Sequence, residues 1–141
     1  PDKDMAQCVV DEYGPTDFTQ SYSKSVDAAE VLPKFLGGDL DHERLVHMHA
    51  SPLNWVTPRA APVLAIHGTA DTYVAYEQSL WIVERLIAAG VPAELETISG
   101  AGHGFRGADA LCCHIVRYRS FCGLAGFGWR RPQRPGQHLR R

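Results

Sequence analysis

Apolar residues along this chain come in two forms, short continuous runs and stripes at helical spacing. Cys8, Val9 and Val10 are consecutive, so residues 6–13 read as a short strand of the buried parallel kind, which carries runs rather than clean alternation. Gly14, Pro15, Thr16 and Asp17 end it as a turn, with Thr16 or Asp17 placed to cap a following turn of helix. Over residues 25–36, Val26, Ala29, Leu32 (or Val31) and Phe35 share one helical face; Pro33 interrupts that helix and Gly37-Gly38 stops it. Residues 41–50 form a second short helix with Asp41 as its cap. A loop follows over residues 51–58, anchored to the core by Leu53, Trp55 and Val56. Residues 62–66 are the central strand. Residues 73–89 are the best-defined helix, with Leu80, Val83, Leu86 and Ile87 as its buried stripe, Glu77, Glu84 and Arg85 on its wet side and Gly90 as its stop. Residues 92–98 alternate and predict an edge strand half exposed to water. Strand, helix and strand in this length make a right-handed βαβ unit.

A last helix is predicted from Ala108, with Leu111, Ile115, Tyr118 and Cys122 at helical spacing. Beyond it, glycines and prolines alternate with arginines. The chain therefore divides into a folded portion, residues 1–123, and a disordered Arg/Gly/Pro-rich tail, residues 124–141. Three parallel strands with four or five helices give an α/β protein whose sheet is incomplete, since three strands leave an edge open and apolar surface uncovered.

Composition changes this picture little. A length of 141 residues suits one domain, and a formal net charge of −2 points to no particular partner. The distribution is uneven: residues 1–109 hold seven Lys/Arg against sixteen Asp/Glu, a net of −9, while residues 110–141 hold seven Arg and no acid, a net of +7. That arginine-only stretch reads either as a shifted reading frame or as a real basic tail. Only its charge speaks for nucleic acid, and no nucleic-acid partner is expected. Cys8, Cys112, Cys113 and Cys122 lack CxxC spacing and make a poor disulfide framework and a poor zinc site. His42, His47 and His49 cluster, but histidines at i and i+2 point to different helix faces, so they read as solvated or core side chains rather than as metal ligands. No run of about twenty apolar residues suggests a membrane span, and no signal peptide is visible. Oligomeric state and compartment are left open.

The chemistry concentrates in residues 61–105. The central strand ends in His67-Gly68-Thr69-Ala70-Asp71, which places an acid just beyond its C-terminal edge. Thirty-two residues later, after the next strand, Gly100-Ala101-Gly102-His103-Gly104 presents a lone histidine on a glycine-rich loop. An Asp and then a His, each at the C-terminal edge of a parallel strand, are the acid–base half of a Ser-His-Asp triad. Asp71 would fix the tautomer of His103 and stabilise its imidazolium. His103 would act as general base toward a nucleophile and then as general acid toward the leaving group. Gly102 and Gly104 would let the backbone carry the ring in without clashes. His67 is read as a structural strand end. No Gly-x-Ser-x-Gly occurs in the chain.

HGTADTYVAYEQS followed by GVPAELETISGAGHGF resembles the α/β-hydrolase superfamily, its esterase/lipase (BD-FAE-like) or prolyl-oligopeptidase-like group. VVDEYGPTDF, FLGG and ASPLNWV extend the likeness over residues 6–110. The resemblance implies the C-terminal part of an α/β-hydrolase fold, with the nucleophile elbow and oxyanion loop upstream. It implies a serine hydrolase that cleaves small-molecule carboxylic esters through an acyl-enzyme, with Asp71 and His103 as catalytic residues, the serine absent from this chain, and no metal or organic cofactor. Two alternatives stay open: a prolyl-oligopeptidase-type serine peptidase, or a non-catalytic hydrolase-like chain. The sequence departs from the pattern at Ala75, where a proline is usual, at Glu12, where an apolar or aromatic residue is usual, and after residue 110.

Overall fold

Val9–Glu12 (β1), Val63–Gly68 (β2) and Ala93–Ile98 (β3) form one parallel sheet in the order β1-β2-β3. The structure, a computed structural model, describes residues 6–105 and residue 121. The predicted last helix, residue 121 apart, and the 124–141 tail with its boundary lie outside the described residues. Four helices accompany the sheet: Phe18–Ser21 (α1), Ala28–Leu36 (α2), Arg44–Ala50 (α3) and Glu77–Ala88 (α4), with a 3-10 turn at Pro52–Trp55.

The uninterrupted apolar run of β2 follows from its place between two parallel partners. Val63 lies opposite Val9 on one side and Ala93 on the other, and the register with β3 continues to Gly68 opposite Ile98. Side chains alternate between the sheet's faces. On one face Ala65 packs with Ile82, Val83, Leu86 and Val91; on the other Leu64 and Ile66 pack with Phe121. Each large side chain so buried contributes about 1.5–3 kcal/mol. β3 alternates in exposure only over Ala93 to Leu95; beyond that the predicted alternation breaks, with Glu96 half-buried and Thr97 exposed.

The fold departs from expectation in its extent. A likeness confined to a C-terminal part of a hydrolase fold does not describe it: the strands run from Val9 to Ile98. The physical reason is that β1, close to the first described residue, is hydrogen-bonded directly to central β2, so the sheet spans the described chain. The motifs concentrated in residues 61–105 mark where loops carry chemistry, not how far the sheet reaches. An incomplete parallel sheet with flanking helices, typical of α/β-hydrolases, is what remains.

Several helix faces also differ. α2 buries Ala28 and Leu32, whereas Val26 is 68% exposed and Phe35 70% exposed. The helix begins at Ala28 rather than at residue 25, and it docks through Ala28 and Leu32, so Leu32 is the one residue of the predicted stripe that it buries. In α4 the buried positions are Gln78, Ser79, Ile82, Val83 and Leu86, while Ile87 is exposed, because the first turn buries a polar pair. α3 starts at Arg44 behind Glu43, not behind Asp41. Trp55 is exposed, its Nε1–H donating to the His49 carbonyl (2.7 Å), and only Leu53 and Val56 reach the core. Cys8, which spacing gives no reason to pair, is disulfide-bonded. Among the described residues no helix is long and apolar enough to cross a membrane.

Candidate active site

β2 and β3 run parallel, so the loops at their C-terminal ends lie side by side. Thr69 N–H donates to the Ile98 carbonyl (3.1 Å), Ala70 N–H to the Ala101 carbonyl (2.9 Å), and Gly100 N–H to Thr69 Oγ1 (2.9 Å). Gly68 makes this approach possible, since a Cβ there would lie 2.2 Å from the Ala101 carbonyl oxygen. Gly104 is needed for its φ of 81°, which side chains rarely adopt. At Gly102, by contrast, an added Cβ would meet nothing closer than the Ala70 carbonyl oxygen at 3.9 Å.

The clamped loops bring together the two residues singled out in the sequence. Asp71 Oδ1 accepts the N–H groups of Tyr73 and Val74, each at 2.9 Å, which fixes the carboxylate on its turn. Its side chain is wholly shielded, and Oδ2 accepts from His103 Nδ1 at 2.9 Å. Burial on its own would raise the Asp71 pKa. The bonds from Val74 N–H, the His103 ring and Tyr73 N–H outweigh it, and the carboxyl is held below its ordinary range. The pair is therefore a charged acid and a partly exposed ring whose Nε2 is left for other chemistry. Tyr13 at 4.5 Å and Tyr73 at 5.5 Å (ring centroids) flank His103. Tyr13, at the end of β1, has a φ of 49°, the one non-glycine among the described residues with positive φ.

His67 is buried beneath the pair. Its Nδ1 lies 2.6 Å from Ser79 Oγ, and its Nε2 lies 2.9 Å from the Val74 carbonyl oxygen and 3.3 Å from Asp71 Oδ2. Gln78, beside Ser79, holds the Gly14–Asp17 corner. Its Oε1 accepts from Thr16 N–H (3.0 Å), Thr16 Oγ1–H (3.1 Å) and Asp17 N–H (2.7 Å), and its Nε2 donates to the Asp17 carbonyl (3.0 Å). Asp17 in turn caps α1, accepting from Thr19 N–H at 2.8 Å. Periodicity passes over Gln78 and Ser79 as polar positions, and the only signal that could have found them is their place on the helix's inward face. Tyr13 lies within the VVDEYGPTDF stretch, but the sequence assigns it no role at the site.

A cavity of about 200 Å³ opens beside His103, lined chiefly by apolar groups including Phe18, Leu32, Tyr73 and Val74. A larger one, about 360 Å³, lies against β1, Trp55 and α4 and includes neither Asp71 nor His103. We take the smaller as relevant, because only it touches the chemistry. Three serine hydroxyls are engaged elsewhere: Ser21 donates to the Asp17 carbonyl, Ser25 to Asp27, and Ser51 to the His47 carbonyl. His47 is a core histidine bonded to Tyr22 Oη (2.7 Å) and the Glu43 carbonyl (2.8 Å). His42 is exposed and paired with Asp39. Among the described residues no group of three His, Cys, Asp or Glu side chains could hold a metal ion.

We expect Gly68→Ala to displace the His103 loop, since the obstructing atoms are backbone. It should cost about 1–3 kcal/mol of stability, whereas Gly102→Ala should be nearly neutral. Chemical denaturation of the two variants side by side checks this, and equal effects would contradict it.

Parallel strands carrying an Asp-His pair on adjacent C-terminal loops define an α/β-hydrolase-type site. The BD-FAE family model matches residues 2–86, and the chain belongs to the BD-FAE family. It is 41% identical to Esterase LipC of Mycobacterium tuberculosis (strain ATCC 25618 / H37Rv) over 68 residues, 47% of this chain and 17% of that protein. Its structure resembles a Mycobacterium tuberculosis puromycin-hydrolyzing peptidase at TM-score 0.75 and 26% identity, covering 88% of this chain and 19% of the peptidase. It also resembles a truncated form of a carbohydrate esterase from gut microbiota at TM-score 0.66 and 25% identity, covering 86% of this chain and 42% of the esterase. The chain thus spans less than half the length of each of these proteins. Coverage of this chain reaches from 82% to 94% among similar structures. The likeness is therefore not that of a C-terminal half alone but runs over most of the chain.

Proposed function

We propose that Asp71 and His103 are the acid and base of a serine-type acyl hydrolase of the prolyl-oligopeptidase-like kind, acting on amide bonds of small peptide-like molecules. The observation that carries this is the 2.9 Å bond from His103 Nδ1 to an Asp71 carboxylate already fixed by two backbone N–H groups. That arrangement leaves His103 Nε2 to take the proton of a serine hydroxyl and return it to the leaving amine. The apolar cavity beside the ring is suited to an apolar substituent of the substrate. The amide reading is supported by the puromycin-hydrolyzing peptidase, which gives the higher TM-score of the two structures above. Ester cleavage is the second reading, favoured by membership of the BD-FAE family and the likeness to Esterase LipC.

Two assays test these readings. An active protein containing this chain should turn over peptide p-nitroanilides, and a strong preference for p-nitrophenyl esters over them would favour the second reading. The chain by itself contains no Gly-x-Ser-x-Gly. It should not react with a fluorophosphonate probe, and stoichiometric labelling of one of its serines would place the nucleophile within it.

A further inference from the structure

The acid–base reading leaves one buried titratable ring unused. His67 is wholly shielded at the end of β2, yet both its nitrogens are aimed at polar atoms. The two oxygens facing Nε2, the Val74 carbonyl at 2.9 Å and Asp71 Oδ2 at 3.3 Å, are acceptors only, so Nε2 carries hydrogen. In the neutral ring Nδ1 is then the acceptor, and the Ser79 hydroxyl at 2.6 Å donates to it. Ser79 is itself fully buried on the first turn of α4. A continuous line thus runs from α4 through Ser79, His67 and Asp71 to His103. Along it, Asp71 Oδ1 accepts two backbone N–H groups and Oδ2 accepts from His103 Nδ1, while His67 Nε2, bonded to the Val74 carbonyl, lies 3.3 Å from Oδ2.

We infer that His67 is a positioning residue for the acid–base pair: its Nε2–H holds the Val74 carbonyl, and with it the Asp71–Val74 turn whose N–H groups orient the Asp71 carboxylate toward His103, and Ser79 holds His67 in the tautomer that can do so. This rests on the acid–base reading of Asp71 and His103. A ring kept only for packing would not need its two edges matched to one donor and one acceptor. Without the Nε2–H, the Val74 carbonyl loses its partner and the Asp71–Val74 turn loosens. The Tyr73 and Val74 N–H groups then hold the carboxylate less firmly, and its bond to His103 Nδ1 weakens.

The test is the histidine ring nitrogen spectrum of the ¹⁵N-labelled chain, which reports the tautomer of each ring. In the unsubstituted chain His103 should be held as the Nδ1–H tautomer and His67 as Nε2–H. His67→Phe keeps the ring shape without the donor and should shift the His103 tautomer ratio by about fivefold toward Nε2–H, with the β2 amides still protected. His67→Gln, whose amide can reach the Nε2 position, should restore the ratio. An unchanged His103 ratio in a folded His67→Phe chain overturns the inference. Should that variant not fold, Ser79→Ala decides instead: mixed tautomers at His67 with a shifted His103 ratio support the inference, and unchanged spectra overturn it. The ratio is read without turnover, so the brace and the catalytic role of the pair can fail separately. A catalytic His103 with a ratio insensitive to His67 removes the brace alone. A sensitive ratio beside a dispensable His103 removes the catalytic reading alone.

Discussion

His103→Ala should lower kcat/KM by roughly 10⁴ or more in an active protein containing this chain, with the fold unchanged. The two halves of that statement have different grounds. Turnover falls because no other described group is placed to pass a proton between nucleophile and leaving group. The fold survives because the ring is 35% exposed and gives up one bond, to Asp71. Asp71 keeps the N–H groups of Tyr73 and Val74 when His103 is gone. The stability cost should stay within about 1 kcal/mol, and thermal unfolding alongside the kinetic assay would show it. Asp71→Asn should cost a similar factor in rate, because an amide can present N–H to the ring and select the wrong tautomer. An His103→Ala variant with full activity would remove this residue from the mechanism.

The pairing of Asp71 with His103 is legible in the sequence because both ends of it are local. An acid behind a strand-ending glycine and a histidine among glycines are each recognisable in a few residues. Two parallel strands then bring those loops together without further information. β2 is legible for a related reason, since five consecutive apolar residues have few places to go except the middle of a sheet. What stays hidden depends on partners far away in sequence. Gln78 is buried because Thr16 and Asp17, some sixty residues earlier, need a donor and acceptors at that point. No helical period announces such a match. The α2 stripe fails in part: of Val26, Ala29, Leu32 and Phe35 the helix buries only Leu32, together with Ala28 from outside the stripe. Periodicity reports which residues could form a face and not how much of that face finds a neighbour.

Gln78→Leu is the substitution expected to cost most in stability. Leucine conserves the bulk of the site, so packing alone would predict a mild effect. The hydrogen bonds predict otherwise. Gln78 Oε1 is the acceptor for the Thr16 and Asp17 N–H groups, and its Nε2 is a donor to the Asp17 carbonyl; Thr16 and Gln78 are almost fully shielded from water. Removing the amide strands the Thr16 and Asp17 N–H groups, and each buried unsatisfied group costs about 1–3 kcal/mol. The Asp17 carbonyl keeps Ser21 Oγ–H (3.1 Å) and Gln20 N–H (3.3 Å), and the Thr16 hydroxyl also donates to the Gln78 main-chain carbonyl at 2.7 Å. The expected loss is therefore about 3–5 kcal/mol, a large share of the roughly 5–15 kcal/mol that holds a domain together. Urea denaturation should show the midpoint falling by that equivalent. Gln78→Glu separates the contributions: it keeps the acceptor for the two N–H groups but sets an oxygen against the Asp17 carbonyl, so it should fall between wild type and leucine. A leucine variant less than about 1 kcal/mol below wild type would mean that water replaces the amide. The Gly14–Asp17 corner would then be held by its own turn and not by α4.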